Sequence, residues 1–227
     1  MKHMKTLSLL SISLFAAGSA SAATVVWDFN TFNGVSAVGP TTGSITAAPD
    51  FNDFGSGVTI TGFTLAANAG QNAFRANEAQ TGVREPNPSA SITVTIDNTV
   101  SVDLSTLAFT YGFDNNTGNN ALTPQYSLSF SQGSGTNASG SLPTSTSASY
   151  IESTAVTSTL SGLTGLTNTA VTFTWTFDSA EDRNNDLDRR HFMDDITLTG
   201  TVTAIPEPSS SALLGLGMTA LLLRRRR

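Results

Sequence analysis

The chain has 227 residues, 39% of them hydrophobic and 12% charged, and it contains no cysteine, so neither disulfides nor thiolate chemistry is available to it. Its acids are concentrated in the middle: from Ala23 to Ile205 there are 16 Asp and Glu against five Arg and no Lys, a balance of roughly −11. That argues against nucleic acid or anionic lipid as a partner, since both require a basic patch, and is compatible with a hydrated polysaccharide or with divalent cations.

The first 22 residues read as an address. Lys2 and Lys5 make a positive n-region, Leu7 to Ala17 an apolar h-region, and Ala20-Ser21-Ala22 an A-x-A site. Residues 1–22 are therefore assigned as a secretory signal peptide that passes through the Sec machinery, cut between Ala22 and Ala23. Residues 23–204 remain as the exported domain, long enough for one hydrophobic core.

Within that domain the hydrophobic period is two. Weaker strands are predicted over Val25 to Phe29 and Val58 to Leu65. Ile92, Val94 and Ile96 alternate with Ser and Thr, and Leu107, Phe109, Tyr111 and Phe113 mark a strand up to Asp114. Tyr126, Leu128 and Phe130 follow, then Val171, Phe173, Trp175 and Phe177, and finally Ile196, Leu198 and Val202 among threonines. Such alternation belongs to antiparallel strands with one wet face. The predicted fold is all-β, an antiparallel β-sandwich of jelly-roll type, because two half-apolar sheets must cover each other. Trp27 and Trp175 share parity with core positions and are predicted to be buried. Thr31 to Asn52 and Gly133 to Ser149, rich in Gly, Ser, Thr and Pro, read as surface loops.

Enzyme signatures are missing. His191 is the one histidine of the exported part, and no nucleophile elbow, zinc-binding HExxH, Walker loop or dinucleotide fingerprint occurs. Outside the acidic loop the exported glutamates are Glu78, Glu85 and Glu152, in expected loop or edge positions rather than paired on a strand as a glycosidase needs. The expectation is a protein with no catalytic residues. Tyr150, in a polar context, is the aromatic best placed to meet a ligand. The rows Thr172-x-Thr174-x-Thr176 and Thr197-x-Thr199-x-Thr201 resemble the threonine ladders of some ice-binding proteins, but Thr on a wet strand face is ordinary β propensity.

Two acidic motifs precede the last strand's end. Asp182-x-Asn184-x-Asp186-x-Asp188 imitates an EF-hand loop but lacks its glycine and ends on Met193 where a bidentate Glu belongs, so it reads as a solvated charged hairpin loop. Phe192-Met193-Asp194-Asp195-Ile196 resembles the final strand of carbohydrate-binding jelly rolls and related lectin-like sandwiches. The resemblance implies an aspartate that helps hold a structural calcium near the first strand, with Asp194 and Asp195 as metal candidates. By strict alternation Asp194 points to the side of Ile196 and Leu198, where a carboxylate costs several kcal/mol unless paired, hydrogen-bonded or bound to a cation. The alternative is that Asp194 accepts backbone N–H groups at a bulge on the sandwich rim.

Residues 205–227 are a second address. Pro206-Glu207-Pro208 precedes a small-residue and leucine stretch that ends in Arg224, Arg225, Arg226 and Arg227. This resembles the PEP-CTERM sorting signal of Gram-negative bacteria, which implies recognition of the tripeptide by the membrane protease exosortase. From Ala212 to Leu223 a helix would be roughly 18 Å long against a hydrocarbon core of ~30 Å, so insertion as a short C-terminal apolar helix would be transient. The arginines form a cytoplasmic stop and direct the domain outward. The reading that results is an exported cell-surface or extracellular-matrix protein processed by exosortase, structural or adhesive in exopolysaccharide or biofilm. A carbohydrate-binding module is the alternative, and a glycan-active hydrolase is third.

Overall fold

Two antiparallel sheets face each other, each built around strands whose apolar side chains fall on one side. The computed structural model describes residues 19–28, 44–66, 76–77, 80–84, 89–115, 123–144, 150–179, 189–206, 217 and 224. The strands are β1 (Ala20–Trp27), β2 (Ser44–Ala47), β3 (Phe51–Asn52), β4 (Val58–Ile60), β5 (Phe63–Ala66), β6 (Ala76–Asn77), β7 (Gln80–Arg84) and β8 (Ser89–Ile96). They continue with β9 (Val100–Asn115), β10 (Pro124–Phe130), β11 (Ser134–Gly135), β12 (Ser139–Ser141), β13 (Tyr150–Ser161), β14 (Thr169–Ser179) and β15 (Arg189–Ala204). The first sheet runs β11-β13-β9-β15-β1-β3, with β7 also on β15 and β6 on β7; the second runs β12-β10-β14-β8-β5-β2, with β4 also on β8. From β8 to β15 each successive strand belongs to the other sheet, the winding of a jelly roll.

The core is aromatic and forms where the sheets meet. Trp175 of β14 lies edge-on to Phe109 of β9 at 5.7 Å between ring centroids and tilted against Phe63 at 6.1 Å. Tyr111 of β9 stacks on Phe177 of β14 at 5.8 Å and meets Tyr126 of β10 at 5.0 Å. Both tryptophans are fully buried, as alternation predicts. The Trp175 Nε1–H has no hydrogen-bond partner among the described residues, surrounded as it is by rings. The Tyr126 hydroxyl reaches the backbone oxygen of Asn137 at 3.1 Å, and burial raises its pKa. At the β8–β9 turn the hydroxyl and N–H of Thr99 bond Asp97 and hold its carboxyl below the ordinary value.

Several expectations shift. The single strand expected over Val58 to Leu65 is two, β4 and β5, broken at Thr61 and Gly62, and both pair with β8. The expected loop Thr31 to Asn52 contains β2 and β3, and the loop Gly133 to Ser149 contains β11 and β12. A twelve-residue strand, β13, begins at Tyr150 and carries Glu152; no strand was expected there. Its inward positions are Val156, Ser158 and Leu160, and Ser158 is buried with its hydroxyl donated to the Thr136 carbonyl. A serine in the middle of the apolar face hides the period.

The pair β9–β15 is the longest among the described residues and contains two register shifts. Between Asp194 and Thr197, β15 carries one extra residue; between Thr199 and Gly200, β9 carries one, and the register is restored. At the second shift the backbones press together: a Cβ on Gly200 would collide with the Asp103 carbonyl oxygen. At the first, Asp195 takes a left-handed conformation with φ 50°.

Candidate functional site

The first bulge overturns the alternation argument for Asp194. Met193 and Ile196 are both buried, three residues apart, because the extra residue resets the parity of β15. Asp194 therefore sits on the side opposite Met193, half-buried, and Asp195 is exposed. At the bulge the Asp195 N–H donates to Asp194 Oδ1 at 2.9 Å. Aspartate suits this turn because its short polar side chain bonds locally and tolerates a left-handed backbone better than other non-glycine residues.

Topology then adds a third carboxylate. On the edge of β15 away from β9, β7 pairs as far as Met193 and β1 takes up at Ile196, opposite Trp27. The two aspartates lie at this handover, and Asp28, the residue after β1, arrives beside them. Asp28, Asp194 and Asp195 each present a carboxylate oxygen within 4.8 Å of the others. Asp28 and Asp194 are half-buried and Asp195 is exposed.

The end of β1 is pinned from its far side by the turn into β3. The Asp28 N–H donates to Asp50 Oδ2 at 2.7 Å, the Asp50 N–H to the Val26 carbonyl at 2.9 Å, and the Thr24 N–H to Asp53 Oδ1. The strand end that carries Asp28 is thus fixed independently of the bulge. The donor set is oxygen alone, three carboxylates on two adjacent strands. Such a set suits calcium, which takes 6–8 oxygens at about 2.3–2.6 Å, with carbonyls and water completing the shell.

Sequence reading named Asp194 and Asp195 and missed Asp28, 166 positions upstream of Asp194. A signal was available: the resemblance put a metal near the first strand, and Asp28 is the acid that closes that strand. The EF-hand-like residues Asp182, Asn184, Asp186 and Asp188 lie outside the described residues. His191 is in β15 and Tyr150 in β13.

The two segments expected to act as addresses adjoin β1 and β15 in the sequence. Ala20 and Ala22 are exposed and pair with Thr203 and Thr201, while Ala23 is the first buried residue of β1 and pairs with Gly200. Strand pairing thus extends three residues upstream of the expected cleavage point, but core packing begins at it. At the other terminus β15 stops at Ala204, the Ile205 N–H bonds the Thr99 carbonyl at 2.8 Å, and Pro206 is exposed. Glu207, Pro208 and Arg225 to Arg227 lie outside the described residues, as does the apolar stretch apart from Gly217; Arg224 is exposed. Among the described residues no helix is long and apolar enough to cross a membrane.

Residues 204–227 match the PEP-CTERM protein-sorting motif. No curated protein matches the chain. Among solved structures, the isomalto-dextranase of Arthrobacter globiformis T6 in complex with panose is 12% identical with a TM-score of 0.29 over 68% of this chain, which spans 22% of that enzyme's length. The CBM22-1 xylan-binding domain from Paenibacillus barcinonensis is 10% identical with a TM-score of 0.27, over 84% of this chain and 97% of that domain. Similarities this low carry no argument about function.

Proposed function

We propose that this chain is an exported β-sandwich protein, sorted through its C-terminal motif by exosortase and displayed at the cell surface or released into the extracellular matrix. Its role there is structural or adhesive, within exopolysaccharide or biofilm, rather than catalytic. The observation that carries the reading is the match of the PEP-CTERM sorting motif to residues 204–227, beginning on the last residue of β15. The tripeptide follows the final strand with one residue, Ile205, between them. A cut at or after it leaves every pairing of the sandwich in place.

Residues 1–22 act as the signal peptide and 23–204 as the working domain. An acidic, lysine-free domain has no attraction for the anionic bilayer it passes, and favours a neutral or hydrated partner. Calcium, held by Asp28, Asp194 and Asp195, ties the end of β1 to the bulge of β15 and removes the repulsion of three neighbouring carboxylates. In a domain with no disulfide, that tie supplies what a cross-link would.

The test of sorting is Glu207→Ala in a host with the cognate exosortase. The expected result is a full-length precursor retained in the membrane. Normal trimming and release of this variant would remove the assignment. A glycan-array screen of the exported protein separates an adhesive role from a purely structural one.

A further inference from the structure

The pairing of β1 with β15 runs past the expected N-terminal cut. Ala20, Ser21 and Ala22 pair with Thr203, Val202 and Thr201, while Ala23 begins the core. Hydrogen bonds nearby fix which backbone groups face which neighbour. The Ile205 N–H bonds the carbonyl of Thr99, just before β9. Alternation therefore turns Thr201 and Thr203 toward β9 and leaves Val202 and Ala204 facing β1. On β1, the Thr24 N–H donates to Asp53 Oδ1 and the Thr24 carbonyl accepts from the Asp53 N–H, so Thr24 faces β3 and Ser21 faces β15. Ser21 and Val202 are thus a pair of the kind that exchanges both N–H···O bonds.

Removal of residues 1–22 takes Ser21 with it. The N–H and C=O of Val202 lose their partner, and those of Ala204 lie next to them on the same side. β3 does not fill the gap, because it pairs with β1 at Val25 and Val26. The space is one that Ala20 to Ala22 occupy and then leave. What remains is a strand end open along one edge and held flat along the other by β9 and the Ile205 bond. Val202 keeps its side chain against the core, and Ala204 is exposed.

We propose that this edge, Val202 to Ala204, is where the sorting protease takes hold of the exported chain, adding an extended segment of its own beside β15 in place of Ala20 to Ala22. The inference rests on the sorting reading above and names the surface through which sorting operates. Position selects the occupant. The sorting-motif match begins at Ala204, inside the edge, and Pro206 opens the tripeptide directly after Ile205. Whatever reads that tripeptide must approach the free N–H and C=O groups of Val202 and Ala204, which already have strand geometry. Strand addition draws its affinity from main-chain bonds of this kind, and a strand held by β9 needs no further ordering to make them. The edge is created by the first cut, so the two processing steps run in a fixed order.

The test follows C-terminal trimming by mass in a host with the cognate exosortase. Ser19→Ala combined with Ala22→Thr moves the A-x-A site to positions 17–19, so that positions 20–22 stay on the exported chain. Val202→Pro deletes the N–H of the vacated edge and leaves the bonds to β9 in place. Each is expected to be trimmed about tenfold more slowly than the wild type, the worth of roughly one backbone hydrogen bond. Wild-type trimming of the chain that keeps positions 20–22 would overturn the proposal. So would wild-type trimming of a Val202→Pro chain that melts cooperatively. A second readout needs no protease: amide hydrogen exchange on the exported chains, purified in mild detergent with Glu207→Ala to keep them untrimmed. The Val202 N–H is expected to exchange about a hundredfold faster in the chain that begins at Ala23 than in the one that keeps positions 20–22, with Thr203 protected in both. Equal protection of Val202 in the two chains would show that no edge opens. Exchange as expected, with Glu207→Ala trimmed like the wild type, would instead remove the sorting reading and the proposal with it.

Discussion

The two bulges of β9–β15 solve the same problem with different residues. At the outer one the extra residue is on β15, and Asp195 absorbs it by adopting a left-handed backbone at the surface. At the inner one the extra residue is on β9, and Gly200 absorbs it by letting two backbones approach where no side chain fits. The inner bulge serves packing, since it keeps Leu104 and Leu107 both in the core. The outer one serves exposure, since it turns two carboxylates toward the end of β1. Bulges concentrate next to sites for this reason: one added residue re-aims a side chain without disturbing the rest of the ladder.

Opposite the outer bulge, β9 carries Phe109 against Trp175 of β14. Trp175→Ala is expected to cost about 3–5 kcal/mol and to unfold a domain without cross-links; thermal and urea melts measure it. Unchanged melting with altered ligand binding would place the ring outside the core. Next in size is the outer bulge loaded with metal. A cation that binds the folded state alone raises stability by about 2.7 kcal/mol at one hundred times its dissociation constant. The melting temperature should rise with calcium, fall with chelator, respond poorly to magnesium, and lose the response in Asp28→Asn and Asp194→Asn. Indifference of the wild type to chelator would leave the outer bulge as backbone geometry alone.

Gly200→Ala probes the inner bulge. The added methyl meets a backbone oxygen that cannot rotate away, so a cost of roughly 1–3 kcal/mol is expected, with no change in calcium response. The smallest effects separate conformation from charge at Asp195. Asp195→Val should cost about 1–2 kcal/mol through the left-handed backbone. Asp195→Asn tolerates that backbone and should change calcium-free stability by less than about 1 kcal/mol. Equal losses in the two variants would mean that the carboxylate, and not the φ angle, maintains the bulge.

What could be read without coordinates follows from how strongly a side chain reports its surroundings. β8, β10, β14 and the far half of β15 announce themselves because Ile, Val, Leu, Phe and Trp alternate with Ser and Thr. β13 does not, since Ser158 stands where an apolar residue would complete the period and its burial depends on a distant carbonyl. The acidic site was half legible. Asp194-Asp195 stood out as a pair, but the parity of that pair depends on a bulge, and alternation assumes that none exists. Asp28 joins through sheet order, which one sequence does not display. The sorting motif was legible because it is linear: the order of residues in 204–227 carries it without any fold.

The last strand is also the one placed to take up tension from the C-terminal side. β15 lies between β9 on one side and β1 and β7 on the other, and its final residue leads directly into the C-terminal segment. Tension applied through that segment acts along the strand axis. The bonds to β9 and β1 are crossed at right angles and strained together rather than one at a time, as in a lap joint under shear. Peeling from the free end is resisted by the Ile205 bond to Thr99. Pulling on Ala204 along that axis would therefore load the β9–β15 and β1–β15 ladders in shear.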